Sequence, residues 1–427
     1  MSEVVAIAAF ALVYLLLVTE RVERLVAALA GAAVVLLFGV VGPQDAFFSE
    51  STGIDWNVLV LLFSMMVIVG GLRRTGAFDY LAVTLAKRSR GRPYALLVVL
   101  CTLSAVAAIL LSDVTVVVLM APVTLLVAER LAMPAVPLLI AEVMAANIGG
   151  SASLVGDPAD IIVGTRAGLT FNEYLIHQLP VSAVVFGVFL LIARPVFTRG
   201  IAADPAAHEA VSRLDARSAI RDVPLLRRGL VVLAAVLIGF VAQPVTGLEP
   251  AVVALLGAGA MALVTREDRR ELLDHVEWET LAFLAGLFVV IGALVKTGVI
   301  ESLTTVVADA IGSDPTTAVL GMLFGSAVIS ALVDNIPFVA TMSPVVAELT
   351  AADPALNPDN ALWYALGMGA VLGGNATAIG ASANVVALGI AKRYGHPISF
   401  WTFTRYGLLV APLTVAVAAA LFWVRYL

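Results

Sequence analysis

Long apolar runs separated by short polar breaks follow one another along the whole chain. A helix needs about 20 residues to cross a hydrocarbon layer of about 30 Å, and many of these runs approach that length. The pattern therefore predicts an all-α polytopic membrane protein with about ten full crossings. The predicted crossings are 4–18, 25–41, 57–72, 134–165, 180–198, 229–243, 251–264, 279–295, 360–392 and 407–424.

Two further apolar stretches, 93–131 and 315–350, each contain a short polar centre. Two apolar arms around a polar centre fit either two crossings or one re-entrant helical hairpin, and length alone does not separate these alternatives. The polar centres are Ser112-Asp113 in the first stretch and Asp334-Asn335 in the second.

The chain contains a duplicated unit. Segment 54–76 aligns without a gap with segment 276–298 at an offset of 222 positions, and segment 147–162 matches segment 373–386 at an offset of 224. Two matches in the same order and at nearly the same spacing mark a duplication. In a membrane chain, a duplicated unit with broken segments in corresponding places is typical of a transporter.

The charges between the apolar runs predict an orientation. Lys and Arg accumulate in 73–92 and 194–228, whereas 42–55 and 297–314 contain acidic residues and no Lys or Arg. Because basic residues collect on the cytoplasmic side, the first two segments are expected inside and the other two outside. If the polar-centred stretches are re-entrant hairpins, the two repeats enter the membrane from opposite sides. An inverted repeat of this kind supports alternating access to a site at the midplane.

The predicted organisation has five parts in chain order. They are N-terminal scaffold helices at 1–50, a first repeat at 51–199, a cytoplasmic linker at 200–228, connecting helices at 229–272 and a second repeat at 273–427. The first repeat holds hairpin 93–131 and broken helix 134–165, and the second holds hairpin 315–350 and broken helix 360–392. For the linker, a plain connector is favoured over a regulatory segment.

Composition excludes several classes of function. The chain is 61% hydrophobic and 13% charged, whereas soluble domains are about 25% charged. A net charge of −6 provides no basic surface for nucleic acid. The single cysteine, Cys101, allows neither an intrachain disulfide nor a thiolate metal cluster. Without a nucleophile elbow, a zinc signature or a Walker motif, we expect neither an enzyme nor an ATP-driven pump, and no cofactor beyond a coupling ion.

The polar centres of the two hairpins form the first candidate site. A carboxylate at membrane depth costs about 2.5–3.5 kcal/mol on insertion scales, so it normally faces a cavity, an ion or a partner. The alternative is that Asp113 and Asp334 cap the N-terminus of the second arm, and the two roles can coexist. The candidate ligands for a sodium ion are Ser112, Asp113, Asp334 and Asn335.

The Gly-rich breaks at 149–160 and 373–384 form the second candidate site. Bare backbone groups in lipid are tolerated only where they line a cavity or bind something. Half-helices that start near Pro158 and Ser382 would present positive dipole ends to an anion, and the carbonyls before them would hold a cation. The alternative is close packing of helices through small residues.

Three other positions are weaker candidates. Trp56 and Trp278 stand at the starts of apolar segments and are expected to be interfacial anchors. Glu142 lies in the middle of a predicted crossing. A role in proton or ion coupling and a buried structural hydrogen bond are both open for it.

Four motifs resemble one family of transporters. They are DNIPFVATMSP at 334–344, LGGNATAIGASANVV at 372–386, IAEVMAANIGGSASLVGDP at 140–158 and APVTLLVAE at 121–129. The chain resembles the ion transporter superfamily over roughly residues 50 to 425, in particular the branch that holds the melanosomal P protein, arsenite-efflux permeases and sodium/proton antiporters. This branch is related to the divalent anion:sodium symporters.

The resemblance implies a fold class and an assembly. It implies an all-α protein with two inverted repeats, each with a re-entrant helical hairpin and a broken transmembrane helix, whose tips meet at a central site for ion and substrate. Related dicarboxylate/sodium symporters are homodimers in which a transport domain moves against a scaffold. By the same resemblance we expect a homodimer with elevator-type alternating access.

Carried over position by position, the resemblance also implies the site residues. The first half would supply Ser112, Asp113, Thr115, Asn147, Gly150, Ser151, Ser153, Gly156 and Asp157, and the second half Asp334, Asn335, Asn375, Thr377, Gly380, Ser382 and Asn384. Three positions depart from the pattern of the branch. The first hairpin has Ser112-Asp113 where Asp-Asn is usual, and Asp160 stands where the break usually ends in Asn. We include Asp160 because an additional carboxylate can bind a cation or carry a proton.

The sequence therefore predicts a secondary active transporter in the plasma membrane, driven by a sodium or proton gradient. Its expected partners are the lipid bilayer, a small inorganic ion or small organic anion, and a second copy of the chain. An arsenite or antimonite efflux permease is the second candidate, although no cysteine stands near the site to bind arsenic. An ion channel, with the same broken helices around a pore, is the alternative of another class. A membrane-embedded hydrolase would need a nucleophile and a base in the bilayer, where the sequence has no histidine.

Overall fold

A computed structural model describes residues 2–19, 22–49, 52–89, 92–199, 220–265, 274, 276–312 and 314–426. Over these residues the protein is helical and contains no strand. Most of the predicted linker, from 200 to 219, lies outside the described residues, and so do 266–273 of the predicted connecting helices.

Twenty α-helices occur in the described ranges. The first ten are α1 (Ser2–Thr19), α2 (Arg24–Leu37), α3 (Pro43–Phe48), α4 (Trp56–Arg73), α5 (Ala77–Arg88), α6 (Pro93–Leu110), α7 (Asp113–Arg130), α8 (Ala135–Gly150), α9 (Pro158–Ala167) and α10 (Phe171–Phe197). The others are α11 (Val223–Val241), α12 (Gln243–Thr246), α13 (Pro250–Thr265), α14 (Trp278–Lys296), α15 (Val299–Ile311), α16 (Pro315–Ser330), α17 (Asn335–Ala352), α18 (Ala361–Gly374), α19 (Ser382–Arg393) and α20 (Phe400–Tyr426).

Six of the described helices are long and apolar enough to cross a membrane unaided. They are α4, α6, α10, α11, α14 and α20. Several of the other predicted crossings coincide with shorter apolar helices, such as α2 and α13. The predicted crossings 134–165 and 360–392 are each a pair of helices, α8 with α9 and α18 with α19. The polytopic all-α class is therefore confirmed, and the number of crossings stays a prediction.

Three segments that the sequence analysis treats as loops contain helices. Helices α3, α5 and α15 lie within 42–55, 73–92 and 297–314. Helices α5 and α15 stand 222 positions apart, in corresponding places of the duplicated unit. In α15, Ile300 and Ile311 are buried while Glu301 and Asp309 are exposed. The charges of these segments predicted loops because amphipathic helices carry enough polar residues to resemble loops.

Close approach between backbones holds each broken helix against the first arm of its hairpin. A Cβ atom at Gly149 of α8 would collide with the backbone of Ala105 in α6. In the second half, a Cβ atom at Gly373 of α18 would collide with the backbone of Ala327 in α16. Glycine at both positions allows the two helices of each pair to touch without intervening side chains.

The second arm of each hairpin packs against the far half of the chain. Helix α7 contacts α19, which follows the second break, and α17 contacts α9, which follows the first. The N-terminal helices α1 and α2 pack against α14, and α4 packs against α13. This arrangement brings the polar centres of both hairpins and both breaks into one region of the molecule.

Candidate functional site

Each hairpin tip is fastened to the broken helix of its own half by the same backbone hydrogen bond. The N–H of Asp113 donates to the carbonyl of Gly156 at 2.9 Å, and the N–H of Asn335 donates to the carbonyl of Gly380 at 3.2 Å. Gly150 packs against Gly156 with no room for a side chain between them. The predicted glycines therefore contribute backbone oxygens and close packing.

Two predicted hydroxyls reinforce this connection. The Ser153 hydroxyl donates to the carbonyl of Ile109, and the Thr377 hydroxyl donates to the carbonyl of Ala331 at 2.6 Å. Both acceptors lie at the end of a hairpin's first arm. These hydroxyls hold the tip and the break together, so their hydrogens are already used within the protein.

Three asparagines from the two halves meet at a buried centre. The Asn147 Nδ2 group donates to Oδ1 of Asn375 at 2.8 Å and to Oδ1 of Asn384 at 3.1 Å. All three side chains are fully buried. The Asn384 amide also donates to carbonyl oxygens of the second break, those of Gly374 and Thr377. The oxygen of Asn147 has no hydrogen-bond partner among the described residues.

Asp157 joins the first break to the second hairpin. Its Oδ1 atom accepts from the N–H of Ala159 at 2.7 Å, which caps helix α9. Its Oδ2 atom accepts from Nδ2 of Asn335 at 2.7 Å, and the side chain is fully buried. A carboxylate that accepts two hydrogen bonds away from water is rigidly oriented.

The two hairpin carboxylates also bind the first turns of their own second arms. Asp113 accepts from the N–H of Val114 at 2.7 Å, and Asp334 accepts from the N–H of Ile336 at 3.1 Å. The Ser112 hydroxyl donates weakly to Asp113, at 3.4 Å. Asp334 is therefore the N-cap residue of α17, whereas Asp113 is the first residue of α7, whose N-cap residue Ser112 makes no capping hydrogen bond. Each carboxylate keeps a second oxygen for other contacts.

Asp334 uses its second oxygen for contacts that the sequence pattern does not predict. Its Oδ2 atom accepts from Nη1 of Arg24 at 2.5 Å and from the Ser382 hydroxyl at 2.8 Å. Arg24 also donates to the Ser382 oxygen at 2.9 Å. The available signal was a basic residue directly before the predicted crossing 25–41, which is usually attributed to the membrane interface.

A cavity of about 320 Å³ opens beside this ion pair. It is lined by Ser112 of the first hairpin and by the first residues of both half-helices, Pro158 and Ser382. Its other polar wall comes from the N-terminal region and the start of α14: Glu23, Arg24, Glu277, Glu279 and Thr280. The predicted half-helix ends therefore face one common space.

The Asp160 carboxyl group makes no hydrogen bond to the other predicted site residues that the structure describes. Its Oδ1 atom accepts from the Tyr174 hydroxyl at 2.6 Å, and the carboxyl group is fully buried between α9, α10 and α18. Its Oδ2 atom has no hydrogen-bond partner within the described part of the chain. This carboxyl group therefore lies outside the hydrogen bonds that join Asp157 and the three asparagines.

Two more predicted residues do not join the central contacts. The Ser151 hydroxyl donates to the carbonyl of Ile148 in its own helix and faces α18. Thr115 is half-buried in the first turn of α7, and no hydrogen bond links it to the other site residues that the structure describes. Within the described ranges, no group of three His, Cys, Asp or Glu side chains is arranged to hold a metal ion.

Glu142 is buried in α8 behind the site. The Ser104 hydroxyl of α6 donates to its Oε1 atom at 3.2 Å. Its Oε2 atom has no partner among the residues described. Glu142 therefore makes one structural hydrogen bond, and its role in proton or ion coupling stays a prediction.

Comparison with known sequences identifies relatives along almost the whole chain. A family model described as a citrate transporter, CitMHS, matches residues 14–369. An uncharacterized transporter of Mycobacterium tuberculosis (strain ATCC 25618 / H37Rv) is 48% identical over 423 residues, which cover 99% of this chain and 98% of that protein. The P protein of Homo sapiens is 33% identical over 492 residues, which cover 96% of this chain and 59% of the P protein.

Comparison with solved structures identifies a similar fold. The YdaH transporter of Alcanivorax borkumensis superposes with a TM-score of 0.64 and a sequence identity of 16%. The superposition covers 91% of this chain and 87% of that one. At this identity the similarity concerns the fold alone.

Proposed function

The chain belongs to the citrate transporter family CitMHS, and on that premise we propose that it is a secondary active transporter which moves a small ion across the plasma membrane. A sodium or proton gradient supplies the energy. Membership of the family makes the protein a membrane transporter and not an enzyme, as the sequence predicts. The predicted resemblance to the P-protein branch is confirmed by the match to the P protein itself.

The observation that carries the proposal is the fully buried carboxylate of Asp157 between the two halves of the chain. Burial of a carboxylate away from water is energetically unfavourable, and in membrane proteins such groups mark ion and proton pathways. The asparagine centre beside it is also closed to solvent. A closed polar centre supports a carrier with an occluded state over an open pore.

The substrate we propose is a small inorganic ion or a small organic anion in the cavity between the half-helices. Pro158 and Ser382 both line it, so the positive ends of α9 and α19 face the same space. Arg24 adds a full positive charge on the same wall. The coupling cation, by contrast, is suited to the buried carboxylates.

Alternating access by an elevator movement in a homodimer is part of the same proposal. Support comes from the matched contacts of the two halves, Asp113 to Gly156 and Asn335 to Gly380. Two halves with equivalent local contacts can exchange roles if their orientations in the membrane are opposite.

Proton movement in liposomes tests the transport function. We expect purified protein to move protons when a sodium gradient is imposed, and an internal pH dye to report the flux. Asp334→Ala should abolish the flux because it removes the carboxylate that Arg24 and Ser382 bind. Asp309→Asn, an exposed substitution on α15, is the matched control and should retain it. A flux that persists in Asp334→Ala would contradict the assignment of this site.

Asp113→Asn and Asp160→Asn are expected to flatten the pH dependence of transport. Both carboxyl groups are buried, Asp113 near Asp157 and Asp160 against Tyr174. An asparagine of nearly the same shape does not titrate, so a proton carried at either position is lost. Initial rates of the wild type and both variants across the neutral range check this. An unchanged pH profile in both would exclude these residues as proton carriers.

A further inference from the structure

Arg24 reaches the site from outside both predicted repeats. It is the first residue of α2, in the predicted N-terminal scaffold. Its guanidinium group binds Asp334 at the tip of the second hairpin and Ser382 at the start of α19, 310 and 358 positions further along the chain. The Asp334 side chain is 8% exposed and that of Arg24 is 29% exposed. One side of the ion pair is therefore buried and the other faces the cavity.

The guanidinium group stands where a small cation would bind. Asp334 Oδ2 and the Ser382 hydroxyl are a carboxylate and a hydroxyl oxygen that point at one position. Oxygen ligands of this kind suit a hard monovalent cation such as sodium. Arginine keeps its charge at all physiological pH values, so it can occupy the position without a proton exchange.

We propose that Arg24 is a tethered counter-ion of the site, which occupies the Asp334 and Ser382 oxygens in place of a sodium ion and which sodium displaces when it binds. The inference rests on the proposed transport function, since it names the coupling ion of that same site. A tethered group competes as if it were present at a high local concentration, so it weakens the apparent affinity for the free ion.

The cavity contains other carboxylates that can bind the displaced guanidinium group. Glu23, Glu277 and Glu279 line the same space as Arg24. Transfer of the guanidinium from Asp334 to one of these carboxylates exchanges one ion pair for another. The exchange leaves no arginine charge without a partner, which is the costly state in a low-dielectric environment.

Sodium binding to purified variants tests the inference. Thermal stability is titrated with sodium chloride, and choline chloride keeps the ionic strength constant. Arg24→Gln should lower the half-saturating sodium concentration by about tenfold, since the competing cation is gone. Arg24→Lys should give an intermediate value, because the compact ammonium group keeps the positive charge but is more strongly hydrated than a guanidinium group. Arg166→Gln removes an arginine of similar exposure that pairs with Asp55, and it should leave sodium affinity unchanged.

Several outcomes would overturn the counter-ion role. One is unchanged sodium affinity in Arg24→Gln. Another is that Arg24→Gln loses the thermal stabilisation that citrate gives the wild-type protein, while its sodium affinity is unchanged. That result would assign Arg24 to the binding of an anionic substrate. Absence of sodium binding in both the wild type and Arg24→Gln would also overturn it, whereas the liposome flux decides separately whether the protein transports ions. If Arg24→Gln does not fold, the neutral Arg24→Met carries the test, and wild-type sodium affinity in that variant would contradict the inference.

Discussion

Alanine at Gly149 or Gly373 is expected to destabilise the native fold of the transporter strongly. The added Cβ atom would overlap the backbone of Ala105 in one case and of Ala327 in the other. A backbone on both sides cannot rotate away as a side chain can, so the paired helices have to separate. Overpacking of a core typically costs about 1–3 kcal/mol, and contacts with backbone belong at or above the upper end. Thermal unfolding of the purified protein measures the loss.

Gly325→Ala is the matched control for this prediction. Gly325 lies in α16, the same helix as Ala327, and nothing approaches the position of its Cβ atom within 4 Å. Alanine in a helix interior is about 0.5–1 kcal/mol more favourable than glycine. The control should therefore unfold at the wild-type temperature or slightly above it. Equal stability of Gly149→Ala and Gly325→Ala would contradict the close approach of α8 and α6.

Local features of the fold were predictable from local sequence. Runs of small and polar residues predicted helix interruptions, and the structure has half-helices that begin at Pro158 and Ser382. Proline at the first position of a helix is favourable because its missing N–H has no partner there in any case. Helices α5 and α15 were not predictable in this way, because the charged residues of an amphipathic helix make its segment resemble a loop.

Contacts between the halves were not predictable from the duplication. At an offset of 224, Asn147 corresponds to Val371 and Asn375 corresponds to Ser151, so the alignment pairs neither asparagine with another. The structure nevertheless brings Asn147 and Asn375 together, 228 positions apart. Such contacts depend on how the two halves face each other, which the alignment of repeats does not contain. For the same reason, the contact of Arg24 with Asp334 was not predictable from the alignment.

Asp157→Asn and Asn335→Asp are each expected to reduce transport by about 100-fold, because each changes the charge and the hydrogen bonding of a buried pair. In Asp157→Asn the negative charge is lost, and the introduced amide can bond to Asn335 only if the Asn335 amide turns over to present its oxygen. In Asn335→Asp two carboxylates lie against each other. Initial transport rates in liposomes, normalised to the amount of folded protein, measure both losses.

The double variant Asp157→Asn with Asn335→Asp separates the contact from the individual side chains. The introduced amide at position 157 accepts from Ala159 through its oxygen and donates to the introduced carboxylate at position 335. The hydrogen bond and the net charge of the pair are restored, so transport should recover by about tenfold or more over either single variant. If the double variant is no better than the singles, the carboxylate is required on the first break itself. In that case Asp157 binds the ion directly, and its contact with Asn335 is secondary.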